Sequence, residues 1–450
     1  MTTAALVPEK VSLKKRLAHR GDRVGMLLDI AATHPDISSM RRFAGLVNAH
    51  FISSADLAHE VLVDKADTFV KGYGLSIFAK PLLGNGLLTS EHDFHRRQRR
   101  MMAPAFVHKR IADYATVISK RTEEATAQWS DGATIDFSSA MMRLTLEVVG
   151  ATLFGAEVGA EAEEIGEALT TAMKQAADSL DSFIPIPPSV PTPGNLRAKE
   201  AVGRLDATVY RLIRERRQDK KDHGDFLSML LLAQDEDDGS TMTDTQVRDE
   251  AMNIFLAGHE TTANALAWTF YLLSQHPELR ARLEREVDAA LGGKSPTLAD
   301  LPKLPYAMQV FKEAMRLYPP AFAVARRATA PVTIGPYALK KNDLAIINIL
   351  GMHRRADYFP EPNRFDPDRF SPEREKTIPR HAFLPFGAGA RVCIGNHFAL
   401  LEGQLAVAAI AQRVRLDPAP GAARVEPEPM ITLRPKGKMP MVVRRRQGTA

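Results

Sequence analysis

Cys393 is the only cysteine in this chain of 450 residues, and it lies in a loop rich in glycine. The loop reads Phe386-Gly387-Ala388-Gly389-Ala390-Arg391-Val392-Cys393-Ile394-Gly395. Its glycines allow the backbone to turn tightly and to approach a large flat group. An apolar helical pattern follows from His397 to Ile410, and a thiolate near a helix N-terminus is a good ligand for haem iron. A lone cysteine without such surroundings is more often a small buried apolar residue.

A second unusual stretch, Ala257-Gly258-His259-Glu260-Thr261-Thr262, lies inside a pattern that predicts one long helix from about Thr243 to Gln275. Glycine and threonine both lower helix stability, so their presence here needs a reason. Small residues, a hydroxyl and a carboxylate together suit a diatomic ligand that receives protons. The alternative is a packing glycine with a surface acid. We expect His259 to face solvent or join a polar network, although a histidine facing a haem would rival Cys393.

Both stretches resemble motifs of the cytochrome P-450 superfamily. The cysteine loop fills all five fixed positions of Phe-x-x-Gly-x-Arg-x-Cys-x-Gly. The helical stretch is similar to the oxygen-activation motif Ala/Gly-Gly-x-Asp/Glu-Thr-Thr/Ser. The resemblance implies that Cys393 is the axial ligand of haem b (iron protoporphyrin IX), that Thr261 binds the oxygen ligand and that Glu260 supplies protons. It also implies further contacts with the cofactor by Phe386, Gly387, Arg391, Gly395, Ala257 and Gly258.

Haem propionates require cations, and three other basic residues match positions that contact them in this superfamily. His95 and Arg99 lie four residues apart on one helix face and resemble the Trp/His-x-x-x-Arg element. Arg326 follows Pro320 by six residues and resembles the arginine that contacts the other propionate. Arg327 beside it is the alternative.

A predicted helix carries Glu313 and Arg316 on one face, three residues apart. Most such pairs are weak surface contacts, but this helix is otherwise apolar, so a buried pair would need a further partner. Arg369, in Phe365-Asp366-Pro367-Asp368-Arg369-Phe370, is the candidate. Glu-x-x-Arg with a later arginine resembles the structural triad of the superfamily, which implies a scaffold role for all three.

The walls of a substrate pocket are predicted by resemblance from four separate segments. They are Leu75, Phe78, Leu82 and Leu83, then Ala257, then Phe322, Ala323 and Val324, and finally Met430 and Ile431. These side chains are apolar, which favours a small lipophilic substrate such as a fatty acid, terpenoid, steroid or polyketide.

The predicted fold is mainly α with a smaller β-rich portion. Helical patterns dominate from about residue 92 to 290, and short strands follow Pro320. We expect a hairpin between Met430–Leu433 and Met439–Val443, and an irregular apolar loop from Tyr73 to Leu88. The resemblance implies a triangular helical prism with haem between the long central helix and the helix after Cys393. Residues 1–450 are expected to form a single haem domain without a fused reductase, with about 1–40 hard to place.

Composition limits the possible partners and the cellular location of this chain. The net charge of +5 is too small to indicate nucleic acid, and no apolar run is long enough for a membrane span. One cysteine cannot form an intramolecular disulfide, which suits the cytoplasm. No flavin, nicotinamide or iron–sulfur motif is present, so a separate ferredoxin or flavodoxin with its reductase is expected as electron donor. Arg96, Arg97, Arg100, Lys109 and Arg110 are a candidate docking face, with an ordinary solvated helix face as the alternative.

The resemblance implies a haem-thiolate monooxygenase that uses O2 to hydroxylate or epoxidise its substrate. Two alternatives share the fold, namely a haem-thiolate sensor or carrier that does not oxygenate and a peroxide-driven peroxygenase. The pair Glu260–Thr261 argues against a carrier, because a carrier needs no proton relay. It also argues against a peroxygenase, because we expect such an enzyme to lack an acid–threonine pair. A globular protein with a coincidental cysteine is the remaining alternative.

Overall fold

The computed structural model describes residues 6–42, 45–155, 162–182, 186–219 and 221–446. Within these ranges the α-helices are α1 Leu13–Ala18, α2 Arg23–Thr33, α3 Ala55–His59, α4 Lys80–Leu83, α5 His92–Met102, α6 His108–Ala127, α7 Phe137–Leu153, α8 Ala162–Asp181, α9 Pro193–Asp219, α10 Phe226–Leu232, α11 Asp244–Gln275, α12 Pro277–Leu291, α13 Pro305–Leu317, α14 Ile349–Met352, α15 Pro372–Glu375 and α16 Asn396–Arg413.

Among the described residues the strands are shorter than the helices, and they form two larger sheets and two hairpins. They are β1 Glu9–Lys10, β2 Ile37–Arg42, β3 Val47–Ile52, β4 Phe69–Lys71, β5 Thr134–Asp136, β6 Val324–Ala328, β7 Val332–Ile334, β8 Tyr337–Leu339, β9 Leu344–Ile347, β10 Val414–Pro418, β11 Pro427–Pro429, β12 Leu433–Pro435 and β13 Pro440–Arg445. The larger sheet has the order β1-β2-β3-β9-β6-β4, and the smaller one β10-β13-β5. Strands β7 and β8 pair with each other, as do β11 and β12.

Helix α11 runs through the main hydrophobic core, and its ends are determined locally. Thr243 caps its N-terminus in a capping box with Gln246. Its C-terminus is at Gln275, two residues before Pro277, which begins α12 because a proline cannot continue a helix. The helix packs against α7, α9, α13 and α16. Helix α16, which follows the cysteine loop, also packs against α13 and α6. The mainly α fold with a smaller β portion is therefore confirmed.

Two local predictions were wrong. Met430 to Leu433 is not a strand that pairs with the last strand, because residues 430–432 form the turn between β11 and β12. Strand β13 instead lies between β10 and β5. The stretch from Tyr73 to Leu88 is also not an irregular loop throughout, since it contains a π-helical turn, Gly74–Phe78, and α4.

Candidate functional site

Cys393 is presented from a tightly turned loop directly before α16. Its backbone N–H donates to the carbonyl of Phe386, with N and O 3.0 Å apart. Gly389 has a φ of 72°, and a Cβ there would lie 2.1 Å from the carbonyl oxygen of Leu62, so only glycine fits. The thiol is exposed, yet burial is the largest influence on it and raises its pKa. Cys393 is therefore accessible, although protein surrounds its sulfur closely enough to disfavour the thiolate.

A basic cluster of Lys71, His95, Arg99, Arg326 and Arg391 lies near Cys393. Arg99 Nη1 donates to the carbonyl of Val392 at 2.8 Å, beside Cys393. Lys71 Nζ and Arg391 Nη1 both donate to the carbonyl of Ser90, at 2.5 and 3.4 Å. Lys71 and Arg326 are directly opposite each other in the antiparallel pair β4–β6.

The basic cluster is short of negative charge. Among the described residues, Glu91 is the one carboxylate that forms an ion pair with a cluster member, namely Arg391. Burial and neighbouring cations lower the pKa of His95 to about 3, of Lys71 to about 7 and of Arg326 to about 10. Like charges directly opposite in a sheet destabilise it unless an anion lies between them. The cluster therefore suits an anionic group that carries more than one charge.

The centre of α11 carries the second set of candidates. Gly258 lies against α7, where a Cβ would be 3.0 Å from Val149 Cγ2. Thr261 Oγ1 donates to the carbonyl of Ala257, one turn earlier, at 2.7 Å. Glu260 is buried and accepts a hydrogen bond from Thr432 at 2.7 Å, and burial raises its pKa to about 7.

His259 does not face solvent. It is buried, and its Nδ1 contacts the carbonyl of Phe255 at 2.9 Å within the same helix. Burial lowers its pKa to about 4. Thr262, two residues beyond Glu260, lies close to Glu402 of α16, so this part of α11 faces the helix that follows Cys393.

Glu313, Arg316 and Arg369 meet in the core. Arg316 donates from Nε and Nη2 to the two carboxylate oxygens of Glu313, at 2.6 and 2.7 Å. Arg369 Nε lies 3.4 Å from Glu313 Oε1. Arg316 also donates to the carbonyls of His353 and Pro362, both at 2.8 Å. The buried charges thus have the additional partners that such pairs need.

Comparison with known proteins agrees with this geometry. The family model described as Cytochrome P450 (cytochrome P-450 below) matches residues 38–441. The chain belongs to the cytochrome P-450 family. Cyclooctatin synthase of Streptomyces melanosporofaciens is 40% identical over 84% of this chain and 82% of its own. Pentalenene oxygenase of Streptomyces avermitilis is 35% identical over 87% and 86%.

A second protein of Streptomyces melanosporofaciens, cyclooctat-9-en-7-ol 5-monooxygenase, is 39% identical over 86% of this chain and 84% of its own. The crystal structure of the cytochrome P-450DA haem domain superposes with a TM-score of 0.88, at 25% identity, over 99% of both chains. The cytochrome P-450 fold is therefore confirmed. The chain is a monooxygenase that uses O2, a redox partner and a protoporphyrin IX haem.

The residues present fit that haem. Cys393 is accessible, and among the described residues only Arg391 of the nearby basic cluster forms an ion pair with a carboxylate. Two propionates would supply the negative charge that Lys71 and Arg326 require across β4–β6. Cys393 would hold the iron, and Arg99, Arg326 and Arg391 with His95 and Lys71 would surround the propionates. Phe386, Gly387 and Gly395 belong to the same loop.

The candidate substrate residues fall into two groups. Phe78, Leu82, Leu83 and Phe322 are buried, and Leu82 and Leu83 belong to the main core while Phe322 packs in a separate one. The others keep part of their surface exposed, namely Leu75, Ala257, Ala323, Val324, Met430 and Ile431. The second group is the better placed to contact a bound molecule.

The candidate docking face is not a free basic patch. Arg97 pairs with Asp235 at 2.8 Å, and Arg100 pairs with Asp235 and Asp237 at 3.1 and 2.5 Å. Arg96 pairs with Asp93. The side chains of Lys109 and Arg110 lie outside the described ones. The acidic loop before α11 therefore neutralises much of the charge on which the docking hypothesis depended.

Sequence reasoning missed Lys71, Glu402 and Thr432. Lys71 is a lone lysine at the end of an apolar strand, which is a signal of a buried cation. Glu402 lies in an apolar helical run, and neither carboxylate oxygen forms a hydrogen bond among the described residues. Burial raises its pKa to about 8. Thr432 has no comparable signal, because its partner lies 172 residues away.

Proposed function

We propose that this cytochrome P-450 inserts one oxygen atom into a terpenoid-like substrate, as a hydroxylation or an epoxidation. Ten apolar side chains supply the candidate walls, and none of them carries a charge. Two relatives are named for cyclooctat-9-en-7-ol and pentalenene, whose names denote an alkene alcohol and an alkene. A fatty acid would need a cation for its carboxylate, and the candidate walls contain none.

The site residues take the following roles in this proposal. Haem held by the Cys393 thiolate supplies the activation of dioxygen. The Thr261 hydroxyl and the Glu260 carboxyl would hold and pass protons on the α11 side of the site, and the raised pKa of Glu260 near neutrality suits that role. His95, Arg99, Arg326 and Arg391 hold the propionates. Glu313, Arg316 and Arg369 keep the cysteine loop in place.

The donor is proposed to be a separate ferredoxin or flavodoxin with its reductase, and the compartment the cytoplasm. A chain with one cysteine suits a reducing compartment. No helix among the described residues is long and apolar enough to cross a membrane. Residues 1–450 are proposed to be one haem domain, in keeping with the extent of the match to the cytochrome P-450DA haem domain.

The observation that carries the proposal is the accessible Cys393 beside a cluster of five basic residues in which, among the described residues, only Arg391 forms an ion pair with a carboxylate. Its test is the absorption spectrum of the purified protein, reduced with dithionite and exposed to carbon monoxide. A strongly red-shifted Soret band is expected for thiolate ligation, and its absence in wild type would refute the assignment. Pentalenene and a fatty acid are then compared for the low-to-high-spin shift. A shift with the fatty acid alone would refute the substrate class.

A further inference from the structure

The turn formed by residues 430–432 is hydrogen-bonded to α11 beside Glu260. Thr432 Oγ1 donates to Glu260 Oε1 at 2.7 Å, and Asn264 Nδ2 donates to Thr432 Oγ1 at 3.1 Å. All three side chains are buried. A hydroxyl has a single hydrogen, so the bond from Asn264 occupies an acceptor site of Thr432 and directs that hydrogen to Glu260. The carboxylate is thereby held in one orientation.

Leu433, the residue that follows the turn, is held by two hydrogen bonds. Trp268 Nε1 donates to the carbonyl of Leu433 at 3.3 Å, and the Leu433 N–H donates to the carbonyl of Pro320 at 2.9 Å. Within the turn, the Met430 N–H donates to the carbonyl of Thr432 at 2.9 Å. Met430 and Ile431 are partly exposed and directly precede Thr432. A molecule that displaces these two side chains therefore acts on the residue that holds Glu260.

Thr432 is one of the few polar groups that act on the pKa of Glu260. Glu260 is 1% exposed, and its Oε2 has no hydrogen-bond partner among the described residues. Burial raises its pKa to about 7, while the Thr432 hydroxyl and Arg434 on β12 oppose that rise. Arg434 is itself paired with Glu428 at 2.8 Å.

The other titratable groups near this part of α11 are directed elsewhere. His259 contacts the carbonyl of Phe255, and Glu402 on α16 lies beside Thr262.

We propose that Thr432 is a positioning residue whose hydroxyl orients Glu260, and that the turn 430–432 thereby couples substrate contact to proton delivery. This inference rests on the proposed role of Glu260 and deepens it. Without substrate the turn keeps Glu260 bound to Thr432. A substrate that contacts Met430 or Ile431 shifts the turn, weakens this hydrogen bond and frees the carboxylate to exchange protons.

The test compares Thr432→Val, which removes the hydroxyl at nearly constant shape, with Thr432→Ser, which keeps it. Thr269→Val is the matched control, because Thr269 is another buried threonine whose hydroxyl contacts the carbonyl of Ala265 in its own helix. The first readout is the carboxyl infrared band of the holoenzyme as a function of pH, assigned with Glu260→Gln. The second is the pH profile of the fraction of reducing equivalents that reach product. Each is recorded with and without pentalenene.

Loss of a hydrogen bond to the ionised form raises a carboxyl pKa, so Thr432→Val should move both titrations upward by about one pH unit or more. Thr432→Ser and Thr269→Val should match wild type. Pentalenene should shift the wild-type titration in the same direction and leave that of Thr432→Val unchanged.

Two kinds of failure are distinguishable. The positioning role is wrong if the Glu260 titration of Thr432→Val matches that of wild type, or if Thr269→Val shifts this titration by the same amount. The enzyme would still form product in either case. If wild type lacks the thiolate spectrum or any oxygenated product, the proposed function itself is wrong. If pentalenene shifts wild type and Thr432→Val equally, the coupling through the turn is wrong.

Discussion

Replacing Lys71 by methionine should weaken haem retention and remove most of its pH dependence. Lys71 is 4% exposed, lies opposite Arg326 in the sheet, and donates to the carbonyls of Leu87 and Ser90 at 2.7 and 2.5 Å. Neither carbonyl carries a full charge, so the ammonium is solvated only in part. The propionates of a bound haem would supply the missing anion.

The magnitude follows from the pKa of Lys71, which burial and the charge of Arg391 lower from 10.5 to about 7. That difference corresponds to about 5 kcal/mol at 1.36 kcal/mol per unit, as an upper limit. Because the pKa of Lys71 is lowered in the folded protein, burying its charge destabilises the haem-free fold. This destabilisation is fully present below pH 7 and is relieved as the pH rises toward 10.5. Bound propionates raise this pKa again, so haem binding takes up a proton above pH 7. Haem affinity should therefore fall by up to about tenfold per pH unit between pH 7 and 9.

The assay is the transfer of haem from the holoenzyme to excess apomyoglobin at pH 6.5 and pH 8.5. Wild type should lose haem faster at the higher pH, whereas Lys71→Met should lose it at a faster rate that changes little with pH. Lys71→Arg should retain haem at both values. Lys65→Met is the control, since Lys65 pairs with Glu60 near the surface. Equal rates and equal pH dependence in wild type and Lys71→Met would refute this account of the basic cluster.

Three further outcomes are expected. Glu313→Ala should lower the free energy of unfolding in denaturant by about 3–5 kcal/mol, because it leaves the buried Arg316 charge unpaired. Glu215→Ala, which breaks an exposed pair with Arg211, should cost below about 0.5 kcal/mol, and similar losses would contradict the reasoning. Thr261→Ala should divert reducing equivalents from product by roughly tenfold while Thr261→Ser retains coupling, unless the hydroxyl has no part in proton delivery. Cys393→Ser should lose the red-shifted Soret band of the reduced carbon monoxide complex, and retention of that band would show that another residue binds the iron.

Features set by short-range chemistry were predictable from the sequence. The cysteine loop was recognisable because it fills all five fixed positions of a family motif within ten residues. The limits of α11 were predicted within one residue, since a threonine cap and Pro277 determine them locally. The triad was predicted because an acid and a base on an apolar helix require a third partner.

Other features depended on contacts between distant segments. The sequence predicts a strand over Met430–Leu433, whereas the structure has a turn at residues 430–432, because a strand forms only where another strand pairs with it. The basic residues of α5 predict a docking face when the sequence is considered alone. Their pairing with Asp235 and Asp237 depends on the tertiary fold, because these residues lie more than 130 positions away in the chain. Both examples show that local composition does not determine partners.

By itself, the sequence determined the family and the central helix and predicted the haem ligand, because each depends on residue types at short fixed spacings. The tertiary structure alone placed Lys71 opposite Arg326 and joined Thr432 to Glu260, across 172 residues in the second case. These contacts depend on strand register and on the packing of a turn against a helix. Such long-range geometry leaves no local pattern, because the partners need only be compatible in charge and shape when the fold brings them together.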